Sequence, residues 1–348
     1  MKKLNVAIIG AGFGVTSHLP AFKRNKHCKV IALCSRNLKK SNFLKNKNNI
    51  KYYFNNWKKM LSEVDLDIVS IAVPPIEQTK IINICLQKSI AIFAEKPLTT
   101  NIFNSKKILN LQKKNKIPTV VDFIFPELEE WIYIKKILQK KKFGNLKNIN
   151  IDLNYQSHTN LINKNSWKNN LNQGGGLLHH IVCHIFYYIE WLFESVNSIS
   201  AYLYKEKKYR FSGHTNAVIL LRFKSGVYAT IQASNNSTGI NEHIIKFFND
   251  TGTIILENKS KDWINDFDLY TIKKKSLLKN KVFFKKKIIR KNEDSRLFPV
   301  SQIVNRLVEW ILLKKKTMPN FEDGHRVQCL IDAAIKSNKL NGKWINLK

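Results

Sequence analysis

Asn5-Val6-Ala7-Ile8-Ile9-Gly10-Ala11-Gly12-Phe13-Gly14 is an apolar run that ends in a glycine-rich turn. A short β-branched run reads as a buried strand, and glycines where it ends read as a strand-to-helix turn. Gly10 permits the tight turn, Gly12 lets a backbone N–H approach a pyrophosphate, and the helix that follows offers its positive end. The pattern departs from G-x-G-x-x-G, because Val15 takes the sixth position and a further glycine falls at Gly14. Lys2 and Lys3 before an apolar stretch imitate a signal peptide. The stretch is short and leads into glycines instead of a cleavage site, so a first strand is expected.

Downstream, strand and helix patterns alternate. Strands are expected at 29–34, 68–73, 90–94 and 120–125, with helices at 18–26, 57–62, 77–87 and 102–114. Such alternation makes a parallel, doubly wound α/β sheet, which binds ligands at the carboxyl ends of its strands. A chain of 348 residues is long for one core, and we expect a dinucleotide-binding domain over 1–123 and a second α/β domain over 124–348. In the second domain, 217–223 and 227–233 flank Lys224-Ser225-Gly226, and 244–249 and 253–257 flank Asp250-Thr251-Gly252, as hairpins do. A last helix is expected over 322–338.

The end of the second strand selects the cofactor. Leu33-Cys34 is followed by Ser35-Arg36, with no Asp or Glu nearby. An acidic residue there would accept the ribose hydroxyls of NAD; serine with arginine suits a 2′-phosphate. NADP(H) is therefore preferred, with NAD(H) possible. Glu95-Lys96-Pro97 closes another buried strand, and a lysine anchored there must be paired or used. Gly174-Gly175-Gly176 then opens a segment carrying His179, His180 and His184.

Composition narrows the classes. The 44% apolar content fits a globular protein. Five scattered cysteines fit reduced cytoplasmic thiols, and no stretch reaches a membrane span, so a cytoplasmic chain with no membrane partner is expected. Lys+Arg 59 against Asp+Glu 25 gives +34, which points towards polyanions. The excess is nearly all lysine, spread throughout with asparagine and isoleucine as an AT-biased coding sequence favours. No specific nucleic-acid role is expected. The densest basic run, from Lys273 to Lys291, could touch polyanions non-specifically.

Taken in order, Gly10-Ala11-Gly12, Val73-Pro74-Pro75, Ala94-Glu95-Lys96-Pro97-Leu98, the Gly174–His184 segment and Phe321-Glu322-Asp323-Gly324 resemble the Gfo/Idh/MocA oxidoreductases. The resemblance implies a Rossmann domain followed by an α/β domain with a large open, mainly antiparallel sheet, through which members usually form dimers or tetramers. It implies hydride transfer between NAD(P) and sugars, polyols or sugar nucleotides, as in surface-polysaccharide synthesis. The cofactor set it implies joins Phe13, Gly14, Val73, Pro74, Glu95 and Lys96 to Gly10, Gly12, Ser35 and Arg36.

Lys96 takes the position of the family lysine that bonds the reacting oxygen. The family's D-x-G-x-H falls on His180-Ile181-Val182-Cys183-His184, so its histidine, a general acid/base, is His184, while His180 stands for the aspartate and Val182 for the glycine. Gln78 stands where a histidine follows the paired prolines. His180 and His184, four residues apart, share one face of a helix, and Trp167 and Lys168, on a polar loop, are candidates to cap the substrate. H-E-x-x-H fails at Ile181, and no metal is expected. Because the aspartate is gone, a non-catalytic dinucleotide-binding or scaffold protein of the same fold is the alternative.

Overall fold

The structure, a computed structural model, describes residues 2–37, 43–44, 46–284 and 293–347. The basic run's Lys285, Lys286, Lys287 and Lys291 lie outside them. The chain forms two compact units, residues 1–124 with 289–328, and 125–288 with 329–348. The sequence gives everything after 123 to the second domain; 289–328 instead group with the first unit, which the chain rejoins before its last helix.

The first unit is a six-stranded parallel sheet in the order β3-β2-β1-β4-β5-β6. Its strands are β1 (Leu4–Ile9), β2 (Cys28–Cys34), β3 (Tyr52–Phe54), β4 (Ile68–Ile71), β5 (Ala91–Ala94) and β6 (Thr119–Val121). Its helices are α1 (Leu19–Arg24), α2 (Trp57–Glu63), α3 (Pro75–Gln87) and α4 (Ile102–Asn115). β1, β4 and β5 are almost wholly apolar and buried, as strands covered on both faces must be. Some details depart from the sequence reading, and the strand expected over 68–73 ends at Ile71. The first helix is preceded by a wider π-type turn, Gly14–His18, and the strand expected to run to Phe125 stops at Val121. The short β3 gives no periodicity and was not foreseen; it forms because Tyr52 to Phe54 pair with Ala32 to Cys34.

In the second unit, α5 (Glu129–Gln139) precedes β7 (Leu146–Gln156), then α6 (His158–Leu161) and α7 (Cys183–Leu192). The strands β8 (Val196–Tyr204), β9 (Asn216–Phe223), β10 (Tyr228–Ser234), β11 (Asn236–Asn249), β12 (Gly252–Asn258), β13 (Asp268–Lys273), β14 (Asn280–Val282) and β15 (Ile345–Asn346) join β7 in one sheet. The order is β14-β13-β12-β11-β7-β10-β9-β8-β15. β7 and β10 are parallel; both expected hairpins form antiparallel pairs. β9 alternates strictly: Ala217, Ile219, Leu221 and Phe223 are buried while Val218 and Leu220 face out, the half-buried pattern of a one-sided sheet. After α8 (Leu297–Leu313), α9 (Phe321–Lys339) begins with Glu322 and Asp323 and ends near Lys336 and Lys339, which suits the helix dipole.

Beneath the second sheet an aromatic cluster closes the core. The Trp131 ring lies 4.6 Å from Phe267 and 5.1 Å from Phe125, and Tyr188 Oη meets His243 Nε2 at 2.9 Å. Burial pushes the His243 imidazole down to about 3, so it stays neutral. Trp131 is fully buried. Trp131→Ala should cost about 3–5 kcal/mol in denaturant unfolding, with little change in the slope of the transition; a loss below about 1 kcal/mol would show that the cluster collapses to fill the space.

Candidate active site

The glycine turn follows β1. Gly10 has φ of +117°, and a Cβ there would sit 2.2 Å from the Ala72 carbonyl oxygen, so only glycine lets β1 end this close to the residue after β4. A Cβ on Gly12 would meet nothing within 4 Å. That open space beside exposed backbone is a cradle that a phosphate can approach. Phe13 beside it carries the Arg296 guanidinium 4.2 Å from its ring centroid, and Arg296 is fixed by Asp294 through Nε–Oδ1 at 2.7 Å and Nη2–Oδ2 at 2.6 Å. Strand order reverses between β1 and β4, the switch point at which such sheets bind nucleotides.

Ser35 and Arg36 follow β2. Ser35 N donates to Phe54 O at 3.0 Å, and Arg36 is exposed. An acidic group missing from the sequence here is supplied in space by Glu77, from the first turn of α3. Its Oε1 accepts from Trp57 Nε1 at 2.8 Å and its Oε2 from Lys80 Nζ at 3.0 Å. Partial burial works to raise the carboxyl, but these bonds and the charges of Lys80 and Arg36 hold it below its usual range.

Lys96 follows β5 in a turn with a cis Lys96–Pro97 bond. Val73 and Pro74 lead from β4 into α3, for which Pro74 is the N-cap. Glu95 N donates to Ile71 O and to Gln78 Oε1, both at 3.0 Å, and Lys96 N to Glu95 Oε2 at 3.3 Å. Gly324 of α9 packs against the same segment: a Cβ there would lie 2.9 Å from Leu98 Cδ2.

Behind this turn lies a buried charge cluster that sequence reasoning missed. His18 Nδ1 meets Ser70 Oγ at 2.8 Å, while Nε2 lies 3.1 Å from Glu95 Oε1 and 3.6 Å from Asp122 Oδ2. Burial works to lower the His18 imidazole, but hydrogen bonds and charge from Asp122 and Glu95 outweigh it and raise it to about 9. Burial pushes Asp122 up to about 6, with the Glu95 charge adding and His18 opposing. Glu95 is held below its usual range, because His18 and the Lys96 charge outweigh burial. The donor atoms of the three residues lie within 4.8 Å of one another, making them a set that could hold a divalent ion; the proton retained by His18 balances the charge of only one of the two carboxylates. The available signal was an ionisable residue at a strand end, His18 after the first turn and Asp122 directly after β6.

In the second unit, Leu178–Val182 is again a π-type turn, leading into α7. His184 is 7% exposed and its ring meets Phe125 edge-on at 5.2 Å. His180 is half-buried and meets Trp167 edge-on at 6.3 Å. Lys168 is exposed beside Trp167, and the buried His179 accepts from Cys183 Sγ at 3.0 Å through its carbonyl. The glycine run serves packing: a Cβ on Gly175 would lie 2.0 Å from Trp167 O, so glycine lets the Trp167 loop lie against the start of the histidine segment.

Comparison with known proteins decides the family. Residues 4–123 match the oxidoreductase family with an NAD-binding Rossmann fold, GFO_IDH_MocA, and 131–255 match the GFO/IDH/MocA C-terminal domain. The chain belongs to the Gfo/Idh/MocA oxidoreductases. It is 25% identical to an uncharacterized oxidoreductase of Synechocystis over 97% of this chain and 94% of that one. Levoglucosan dehydrogenase, solved with NADH and L-sorbose, superposes with a TM-score of 0.88 at 17% identity, covering 100% of both chains. The WlbA dehydrogenase of Bordetella pertussis, solved with NADH and UDP-GlcNAcA, gives 0.83 at 15% identity, covering 100% of this chain and 99% of that one.

This Gfo/Idh/MocA chain carries a histidine charge that depends on pH. The ordinary imidazole value is 6.5, so the stabilisation from charged His18 is complete below about 6.5 and lost as pH rises through about 9. Thermal midpoints should fall over that window, and His18→Gln should lower stability at pH 7 and flatten the decline. A parent midpoint that is level from pH 6.5 to 9 would contradict a charged His18.

Proposed function

We propose that this chain transfers hydride between NADP(H), with NAD(H) as the weaker alternative, and a carbohydrate-like alcohol or ketone: a sugar, polyol or sugar nucleotide. The observation that carries the reading is the pairing of an open phosphate cradle at Gly12 with Lys96 held by Glu95 in the turn that follows β5. The carbohydrate ligands of two structural relatives support the substrate class, and the +34 charge favours an anionic substrate or cofactor through its long-range field.

Gly10, Gly12, Phe13 and Gly14 would hold the pyrophosphate, Ser35 and Arg36 the adenosine ribose, and Val73, Pro74, Glu95 and Lys96 the nicotinamide side. When bound, the cofactor supplies the hydride donor or acceptor. Lys96 Nζ donates a hydrogen bond to the substrate oxygen, and the His184 imidazole takes or returns that oxygen's proton. His180 orients substrate through its imidazole, which hydrogen-bonds a hydroxyl without the negative charge of an aspartate. Trp167 and Lys168 cap the substrate. Tyr202, Tyr204, Val218 and Tyr228, each more than half exposed on one sheet, support assembly as a homodimer or tetramer, and five cysteines outside any disulfide support a cytoplasmic setting. The replacement of aspartate by His180 favours one other reading, a non-catalytic dinucleotide-binding scaffold; it gains if NADPH binds tightly and no sugar derivative turns over.

NADPH should bind more tightly than NADH, and Arg36→Ala should narrow the gap. Equal or tighter NADH binding by the parent in calorimetry would sink the 2′-phosphate assignment. With a substrate in hand, Lys96→Ala should lower turnover by about 10²–10⁴ while the chain remains folded. His184→Ala should cost far more than His180→Ala, and pH–rate profiles of the three variants read the roles; a His184→Ala profile identical to the parent's reverses the two histidines.

A further inference from the structure

We infer that Gln78 is the positioning residue for Lys96, setting the backbone from which the lysine meets the nicotinamide half of the cofactor. The inference rests on the dinucleotide reading above. Gln78 lies on the first turn of α3 and is 1% exposed. Its Oε1 accepts from Glu95 N at 3.0 Å. Its Nε2 faces Glu95 O at 2.6 Å, Pro97 O at 3.0 Å and Leu98 O at 3.2 Å. One carboxamide therefore engages the backbone on both sides of Lys96.

The chemistry is specific to glutamine. The turn presents one amide, Glu95 N, shared between Ile71 O and Gln78 Oε1, and several carbonyls that take donors, and Pro97 brings no N–H of its own. A primary carboxamide offers an acceptor and two donors on one planar group; an imidazole offers one of each. It is also uncharged, so it adds nothing to the balance among Glu95, Lys96 and His18. From the other side, Glu95 Oε2 accepts from Lys96 N at 3.3 Å while Oε1 meets His18. The backbone at Lys96 is thus held by a side chain from α3 and by one anchored on a buried imidazole.

Its place in the sheet says which half of the ligand responds. The switch between β1 and β4 divides the binding crevice. Ser35 and Arg36 follow β2 on one side, while Gln78 joins the helix after β4 to the turn after β5 on the other. Loosening Gln78 should disturb the nicotinamide half and spare the adenosine half.

The test compares each dinucleotide with the fragment lacking nicotinamide, by calorimetry on the full chain: NADPH against 2′-phospho-ADP-ribose, and NADH against ADP-ribose. Gln78→Met keeps the volume and removes every hydrogen bond. It should weaken the dinucleotides about tenfold, the scale of one lost hydrogen bond to a charged group, and leave the fragments within about twofold. Gln78→His, with one donor and one acceptor, should fall between. If fragment and dinucleotide weaken together, or neither moves, Gln78 does not position Lys96. Should Gln78→Met fail to fold, the same split in Gln78→His decides. A parent chain that binds none of the four ligands overturns the dinucleotide reading itself, a result distinct from an unsplit response in the variants.

Discussion

A charged imidazole inside a parallel sheet must have its charge answered within hydrogen-bond distance, and this requirement organises the first unit. His18 comes from the turn after β1, Ser70 lies in β4, Glu95 follows β5 and Asp122 follows β6. Four successive elements of the sheet thus converge on one ring. Desolvation works against the charge, yet the hydrogen bonds and charges of Asp122 and Glu95 keep the proton in place. Removing one partner of such a cluster leaves an uncompensated buried charge, which costs more than the intact cluster contributes.

The same cluster reaches the chemistry through Glu95. One carboxylate oxygen faces His18 and the other accepts from the Lys96 backbone. The lysine's main chain is therefore fixed by charge behind it and by the Gln78 carboxamide beside it. A long flexible ammonium is a poor positional device by itself, since lysine has four rotatable carbons. Pinning its backbone shrinks the volume its tip explores without burying its charge.

Close backbone approach is the second recurring constraint. Gly10 lets β1 end against the Ala72 carbonyl, and Gly175 lets the histidine segment lie against the Trp167 loop. In sequence the two glycine runs look alike. Their surroundings differ: beyond Gly12 there is open space, whereas at Gly175 there is protein backbone. One run makes room for a ligand and the other for the fold.

Much of this was legible from residue order. Apolar runs such as Ile68–Ile71 and Ala91–Ala94 could only be buried strands, and their alternation with helices dictated a parallel sheet, because local hydrophobic period is a property of consecutive residues. Turn residues between short apolar runs likewise announced the two hairpins of the second sheet, and Gly10, Arg36 and Lys96 were visible because each stands at the end of a strand. The chain by itself could not reveal that Glu77 shares the neighbourhood of Arg36, that Gln78 straps the Lys96 turn, or that His18 and Asp122, 104 positions apart, share one proton-holding site. Nor could it assign residues 289–328 to the first unit. Hydrogen bonds and charges act through distance in space, and only the completed sheet brings these groups within reach of one another.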